Sequence, residues 1–240
     1  MISGDNLRNK MKMLEIELNS HQIDQFSQYY DLLCEKNKVM NLTSITQPEE
    51  VIDKHFIDSL SLVRAFKPES GMRVIDVGTG AGFPGIPLKI VFPDLKITLL
   101  DSLAKRVGFL NEVIEALELT DIEAVHSRAE DAAHNDLYRQ QYDLCVSRAV
   151  ASLPVLLEYC LPFVKTGGCF VAYKAGDAEQ ETEQAKRALG MLGGALGEHD
   201  SISFMLPDTE YARTLLKIHK IKDTPKRYPR KAGMPSKKPL

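Results

Sequence analysis

One break in this chain limits its fold more than any other feature. The apolar run MRVIDV (72–77) ends in Gly78-Thr-Gly80-Ala-Gly82-Phe-Pro-Gly85, after which an apolar, helix-like stretch opens. Glycine lets a chain turn sharply, and it lets a ligand approach the backbone without meeting a β-carbon. A helix beginning near Gly85 directs unpaired N–H groups and the positive end of its dipole toward an anion. The next apolar run, KITLLD (96–101), ends in Asp101, where a carboxylate can accept from both hydroxyls of a ribose. A glycine turn with an acid closing the following strand predicts a nucleoside site.

Around that site the chain divides into three parts. Residues 1–70 form a helical extension. Ser20 is placed to cap a helix bearing Ile23, Phe26, Tyr30 and Leu33, and a second helix is expected from Pro48 to Ala65 with Val51, Ile52, His55, Phe56, Leu60 and Val63 on one stripe. Residues 71–221 alternate. Strands at 72–77, 96–101, 122–127, 142–147 and 168–173 are separated by helices that include 103–119 and 152–161, with a turn expected at Thr166-Gly167-Gly168. Such alternation predicts an α/β fold with a mostly parallel sheet whose carboxyl edge binds ligands. A helix over Glu179–Leu189, a flexible break at GMLGGALG and an antiparallel hairpin (201–206 and 212–221) bring the sheet to seven strands. Residues 222–240, rich in Pro and Lys, are expected to have little structure of their own.

Composition excludes several classes. With 44% hydrophobic residues in 240, the chain buries a core rather than remaining disordered. No apolar run approaches the about 18 residues of a membrane span, and the charged N-terminal stretch does not resemble an export signal. Cysteines 34, 145, 160 and 169 lack metal-type spacing and are expected to be reduced, packed thiols of a cytoplasmic protein. The net charge of −3 hides an asymmetry: residues 217–240 hold nine Lys or Arg against one acid, Asp223. A basic extension on an acidic body is suited to phosphates, or serves only to keep the chain soluble.

The glycine spacing narrows the nucleoside. A dinucleotide fingerprint needs glycine at 83, where this chain has Phe, and a phosphate-binding P-loop needs Lys after Gly85, where it has Ile86. The remaining pattern, with Asp76 just before the glycines, resembles the first motif of Rossmann-like S-adenosylmethionine-dependent methyltransferases. Asp101 matches their second-strand acid, and Arg128-Ala-Glu-Asp131 lies where they hold adenine. Phe83 either shields the ligand or packs as core.

The fourth strand ends Asp143-Leu-Cys-Val-Ser-Arg-Ala149. It lacks the (Asp/Asn)-Pro-Pro-aromatic segment of amine methylation. Cys145, Cys160 and Cys169 do not follow proline as a pyrimidine-C5 nucleophile commonly does, and they read as core thiols. An acceptor with its own in-plane lone pair, such as guanine N7, would need only alignment and exclusion of water. Arg148 can meet the methionine carboxylate, guanine O6 or a phosphate, or can close the sheet edge in a salt bridge. Lys174 faces the same mouth or is solvated, and Lys105 and Arg106 contact phosphate or solvent. His55 reads as a packing histidine, and Asp58 and Ser59 as helix–domain hydrogen bonds.

Asn41-Leu-Thr-Ser-Ile45, Lys54-His-Phe-Ile-Asp-Ser-Leu60, Asp76-Val-Gly-Thr-Gly-Ala-Gly-Phe-Pro-Gly85, Leu100-Asp-Ser-Leu-Ala-Lys-Arg106, Ser127-Arg-Ala-Glu130 and Ser147-Arg-Ala-Val150 together resemble the glucose-inhibited division protein B family, bacterial 16S rRNA guanine-N7 methyltransferases. The likeness runs from about residue 20 into Thr224-Pro-Lys-Arg-Tyr-Pro-Arg-Lys231. It implies a Rossmann-like methyltransferase fold, S-adenosylmethionine rather than a metal or NAD, and a guanine of the 530 loop in the small ribosomal subunit as acceptor. Gly78, Gly80, Phe83, Asp101, Ala129, Glu130 and Arg148 are the implied cofactor contacts, with Arg148 and Lys174 as positioning candidates. The resemblance assigns no role to Asn41. A monomer is expected, because no long apolar surface stripe is left over. Methylation of a small metabolite, or nucleotide binding without catalysis, are the readings that compete at this point.

Overall fold

A computed structural model describes residues 2–148, 151–176 and 178–240. Ala149 and Val150, the end of one family segment, lie outside them. The helical extension opens with α1 (Gly4–Lys12) and α2 (Ser20–Met40). The cap of α2 is Asn19 rather than Ser20. Asn19 accepts from the Gln22 N–H while the Gln22 side chain accepts from the Asn19 N–H, a reciprocal pair that satisfies two orphan donors together.

The helical run expected from Pro48 is present, but its pitch changes along it: α3 (Pro48–Val51), a π-helical stretch (Ile52–Ile57), α4 (Asp58–Leu60) and a 3-10 turn (Ser61–Arg64). A regular amphipathic helix buries a stripe. Here every residue from His55 to Leu62 is buried, because widening the turns redistributes the side chains around the axis.

The alternating region follows as β1 (Arg73–Val77), α5 (Gly85–Val91), β2 (Lys96–Asp101), α6 (Ala104–Ala116), β3 (Ile122–His126), α7 (Ala129–Ala132), β4 (Tyr142–Arg148), α8 (Leu153–Cys160) and β5 (Val164–Ala175). Then come α9 (Glu179–Leu192), β6 (Gly194–Ala195), β7 (Ser201–Met205), β8 (Ala212–Lys220) and α10 (Met234–Lys237). The sheet order is β3-β2-β1-β4-β5-β8-β6, with β7 also on β8. The pairs from β3 to β5 are parallel, and β8 runs antiparallel to β5, β6 and β7. Strand order reverses at β1, which lies between β2 and β4, so the ligand crevice falls at their carboxyl ends.

Three stretches differ from the sequence expectation. Thr166-Gly167-Gly168 lies inside β5 as a bulge: Val164 pairs Tyr142, but the next partner, Leu144, pairs Cys169. A β-carbon on Gly168 would sit 2.5 Å from the Asp143 carbonyl oxygen, so only glycine lets the two backbones approach there. The break at GMLGGALG is also ordered. Helix α9 continues to Leu192, Gly193 (φ 82°) caps it, and β6 adds an eighth, two-residue strand.

The basic tail, finally, is a strap laid across the body. Arg139 donates to the carbonyls of Tyr228 (2.9 Å) and Thr224 (2.8 Å). Arg230 forks onto Glu158, whose side chain is fully buried, at 2.9 and 2.7 Å. Lys220, one of the nine cations, is itself buried and donates to the Leu161 carbonyl, and burial pushes its pKa down to about 7. Lys220 and Arg230 therefore serve neither phosphate nor solvent, the two uses expected of the tail: they pair with a buried carbonyl and a buried carboxylate, which are costly to leave unpaired.

The extension, α5 and α6 cover one face of the sheet, with Phe26, Tyr29, Leu33, Phe56 and Phe109 at its centre. Helices α8 and α9 cover the other, through Leu153, Leu157, Ala185 and Ala188. Tyr29 fixes the extension to the glycine turn. Its hydroxyl donates to the Ala81 carbonyl at 2.5 Å, and a β-carbon on Gly82 (φ 104°) would lie 2.7 Å from that hydroxyl. Tyr29→Phe should therefore cost about 1–2 kcal/mol of unfolding free energy by stranding a buried carbonyl. Urea denaturation checks this; an unchanged midpoint would mean the bond contributes nothing.

Candidate active site

At the carboxyl edge two cavities open, one on each side of β1. The first, about 470 Å³, lies beside Gly78, Asp101, Ala129, Glu130, Tyr159 and Gly233. Gly78 and Gly80 have φ of 74° and 63°. A β-carbon on Gly80 would meet nothing within 4 Å, so the turn leaves open space where any other residue would place a side chain. Asp101, 3% exposed, accepts from the Gly80 N–H (3.0 Å) and the Leu103 N–H (2.9 Å), with Arg106 at 3.4 Å. The carboxylate thus shapes the turn and still borders the cavity. Glu130 also borders it and accepts from the Gly233 N–H at 2.8 Å.

The start of α5 is not free for an anion. The Gly85 N–H donates to Asp76 Oδ2 at 2.9 Å, and Thr79 Oγ1 donates to the same oxygen at 2.7 Å. Asp76 is fully buried, its Oδ1 has no partner, and burial pushes its pKa up to about 6. A dinucleotide's pyrophosphate would need the helix end that Asp76 occupies. These residues fit an adenosyl group without a diphosphate: an acid for the ribose, a glycine turn beside it and a second acid beyond.

The second cavity, about 330 Å³, is cationic, and Lys54, Arg148, Lys174 and Arg213 converge on it. Asp58 joins two of them: its Oδ2 accepts from Arg148 Nη1 (2.9 Å) and its Oδ1 from Arg213 Nε (2.8 Å). Arg148 also donates to the Lys54 carbonyl and lies over the Phe83 ring, 5.1 Å from its centroid. Lys174 donates to the Ala151 carbonyl and pairs with Glu181 at 2.6 Å.

The candidates therefore separate. Gly78, Asp101, Ala129 and Glu130 line the first cavity, with Gly80 bonded to Asp101. Arg148 and Lys174 line the second. Phe83, 5% exposed, packs under His55 (rings 4.4 Å apart) and against Tyr29 and is among the lining residues of neither. Nothing local marks Arg213 or Tyr159 as site residues, and Asp58 as a clamp between two arginines becomes visible only when β8 meets the extension.

None of the described residues lining the second cavity is disposed as a strong base. His55 is buried against Phe83, its Nε2 lies 3.0 Å from Thr43 Oγ1, and burial, with Arg148 beside it, pushes its pKa down to about 3. Burial raises the Cys145 thiol well above its ordinary value and Cys169 to about 12, so neither is a thiolate.

A family model described as GidB, rRNA small subunit methyltransferase G, matches residues 22–203. The chain belongs to that family. It is 54% identical to the ribosomal RNA small subunit methyltransferase G of Lachnoclostridium phytofermentans over 96% of this chain and 94% of the relative. It is 56% identical to the protein of the same name from Acetivibrio thermocellus, over 94% and 91%. Among solved structures, M. jannaschii TYW2 in complex with AdoMet superposes with a TM-score of 0.56 at 16% identity, over 74% of this chain and 80% of that one. The [4+2]-cyclase SpnF superposes at 0.57 and 16%, over 81% and 94%. At such identities the likeness extends to the fold, which is the Rossmann-like fold of S-adenosylmethionine-dependent methyltransferases. No helix among the described residues is long and apolar enough to cross a membrane.

His55 gives the site a pH signature. An unfolded histidine titrates near about 6.5, so between there and about 3 the unfolded chain holds a proton that the folded chain does not. The contribution of the neutral ring is present above about 6.5 and lost as pH falls. Asp76 acts in the opposite sense, its contribution being lost as pH rises through about 6. Wild type should consequently lose about 1–2 kcal/mol more than His55→Gln between pH 7 and 5 in urea titrations; parallel losses would contradict a neutral His55.

Proposed function

We propose that this chain transfers the methyl group of S-adenosylmethionine to N7 of a guanine in the 530 loop of 16S rRNA, acting on the small ribosomal subunit. One observation carries the reading: the carboxyl edge holds a glycine-turn cavity whose helix end is taken by Asp76 and a cavity lined by four cations that has, among the described residues, no free base or thiolate. The first suits an adenosyl donor; the second suits an anionic polymer whose base brings its own lone pair.

When bound, the donor supplies a sulfonium methyl carbon. Asp101 would accept from its ribose hydroxyls, Ala129 and Glu130 would border its adenine, and Gly78 and Gly80 would let the backbone come close. Arg148 and Lys174 orient the acceptor nucleotide from the second cavity, and Phe83 supports Arg148 and His55 from below. Guanine N7 forms the new C–N bond in line as the S–C bond breaks, the electron pair going to sulfur. No proton leaves, so the positive charge passes to the purine and no side chain needs to act as a base. Alignment and exclusion of water are what the chain contributes. A loop base splayed from its stack reaches such a pocket more readily than a paired one.

We take the enzyme to work as a cytoplasmic monomer. Its substrate is ribosomal, and the apolar stripe of α2 is spent on the sheet, with Phe26, Tyr29 and Leu33 fully buried.

Incubation with methyl-labelled donor and small subunits, or their RNA, should place label on guanine N7, read by cleavage at the methylated base; label elsewhere or none would overturn the assignment. Asp101→Ala should weaken donor binding by about 1–3 kcal/mol in calorimetry, and undiminished affinity would remove Asp101 from the site.

A further inference from the structure

The first cavity is not walled by the methyltransferase core alone. Gly233 and Ser236 of the strap line it, together with Tyr159 of α8, and all three lie outside the glycine turn and the acids that mark the donor site in the sequence. We infer that the strap forms the adenine-side wall of the donor cavity, with Ser236 and Tyr159 as further donor-contacting residues.

The geometry is built rather than incidental. The Gly233 N–H donates to Glu130 Oε1 at 2.8 Å, tying the strap to the acid beyond β3, and Gly233 has a φ of 80°. Tyr159 Oη and Ser236 Oγ are 2.8 Å apart. The strap is anchored by residues that do not line the cavity. Arg230 forks onto the fully buried Glu158 and also donates to the Lys238 carbonyl, Arg139 holds the Tyr228 carbonyl, and Tyr228 is 5% exposed. Glu158 and Tyr159 are adjacent in α8, so the residue that anchors the strap neighbours the one that faces the cavity. A buried carboxylate that loses its bidentate partner is costly, which favours the seated strap. Ser236, in α10, is exposed, and among the described residues its hydroxyl pairs with Tyr159. A hydroxyl pair and a peptide edge beside an acid suit the amino and ring nitrogens of a purine.

This inference rests on the donor reading, and its test separates the two. In hydrogen–deuterium exchange on the wild-type chain, saturating S-adenosylhomocysteine should slow amides 78–82, 101–103 and 230–237 together. Slowing at the turn and Asp101 without the strap would overturn the strap wall and leave the donor site intact; no slowing at either would overturn both. Calorimetry on Ser236→Trp supplies the second arm. Filling the wall should weaken S-adenosylhomocysteine and 5′-methylthioadenosine, which lacks the amino-acid end, by the same factor of about tenfold or more. Unchanged affinity, or a loss confined to S-adenosylhomocysteine, would place the strap away from the adenine.

Discussion

The turn from Gly78 to Gly85 is held by side chains from three different parts of the chain. Asp76 takes the Gly85 N–H, Asp101 takes the Gly80 N–H, and Tyr29 of the helical extension reaches the Ala81 carbonyl. Glycine is a weak constraint by itself, because it permits many conformations and loses the most entropy on being fixed. These bonds convert that freedom into one shape. They also decide what the shape can receive: Asp76 closes the helix end that a diphosphate would need, while Asp101 stays at the rim facing an open cavity. Preorganisation of this kind matters for a displacement that depends on alignment more than on proton transfer.

The extension does more than cover one sheet face. Its π-helical stretch carries His55 inward against Phe83 and leads into Asp58, which lies between Arg148 of β4 and Arg213 of β8. Without Asp58 the two guanidiniums would face one another in a half-buried pocket. With it they are neutralised in part and fixed in place, while Lys54 and Lys174, paired with Glu50 and Glu181, line the same cavity. In the function we propose, the substrate's charge is met by cations already organised by an acid, a cheaper arrangement than ordering flexible side chains on binding.

Much of this was legible before any coordinates. The glycine turn, Asp101 and Ala129-Glu130 could be located because they sit at strand ends, and strand ends follow from apolar runs that stop. The hairpin over β7 and β8 was legible for the same reason. Arg213 was not, since nothing local distinguishes a strand arginine that meets Asp58 from one that meets water. The strap was misjudged on composition. Pro and Lys signal disorder only when no buried acceptors await them, and Glu158, inside the apolar run of α8, gave no sign of being one. Pitch changes after Val51 likewise leave no trace in a pattern whose apolar residues fall on one stripe at ordinary helical spacing.

We place the donor between the glycine turn and the β2 and β3 ends, on the far side of β1 from the cationic cavity. A crystal structure of the chain with S-adenosylhomocysteine bound examines it most directly. The ribose hydroxyls should lie on the Asp101 carboxylate, with the adenine beside Ala129 and Glu130. A ligand seated instead among Asp58, Arg148 and Arg213 would contradict it.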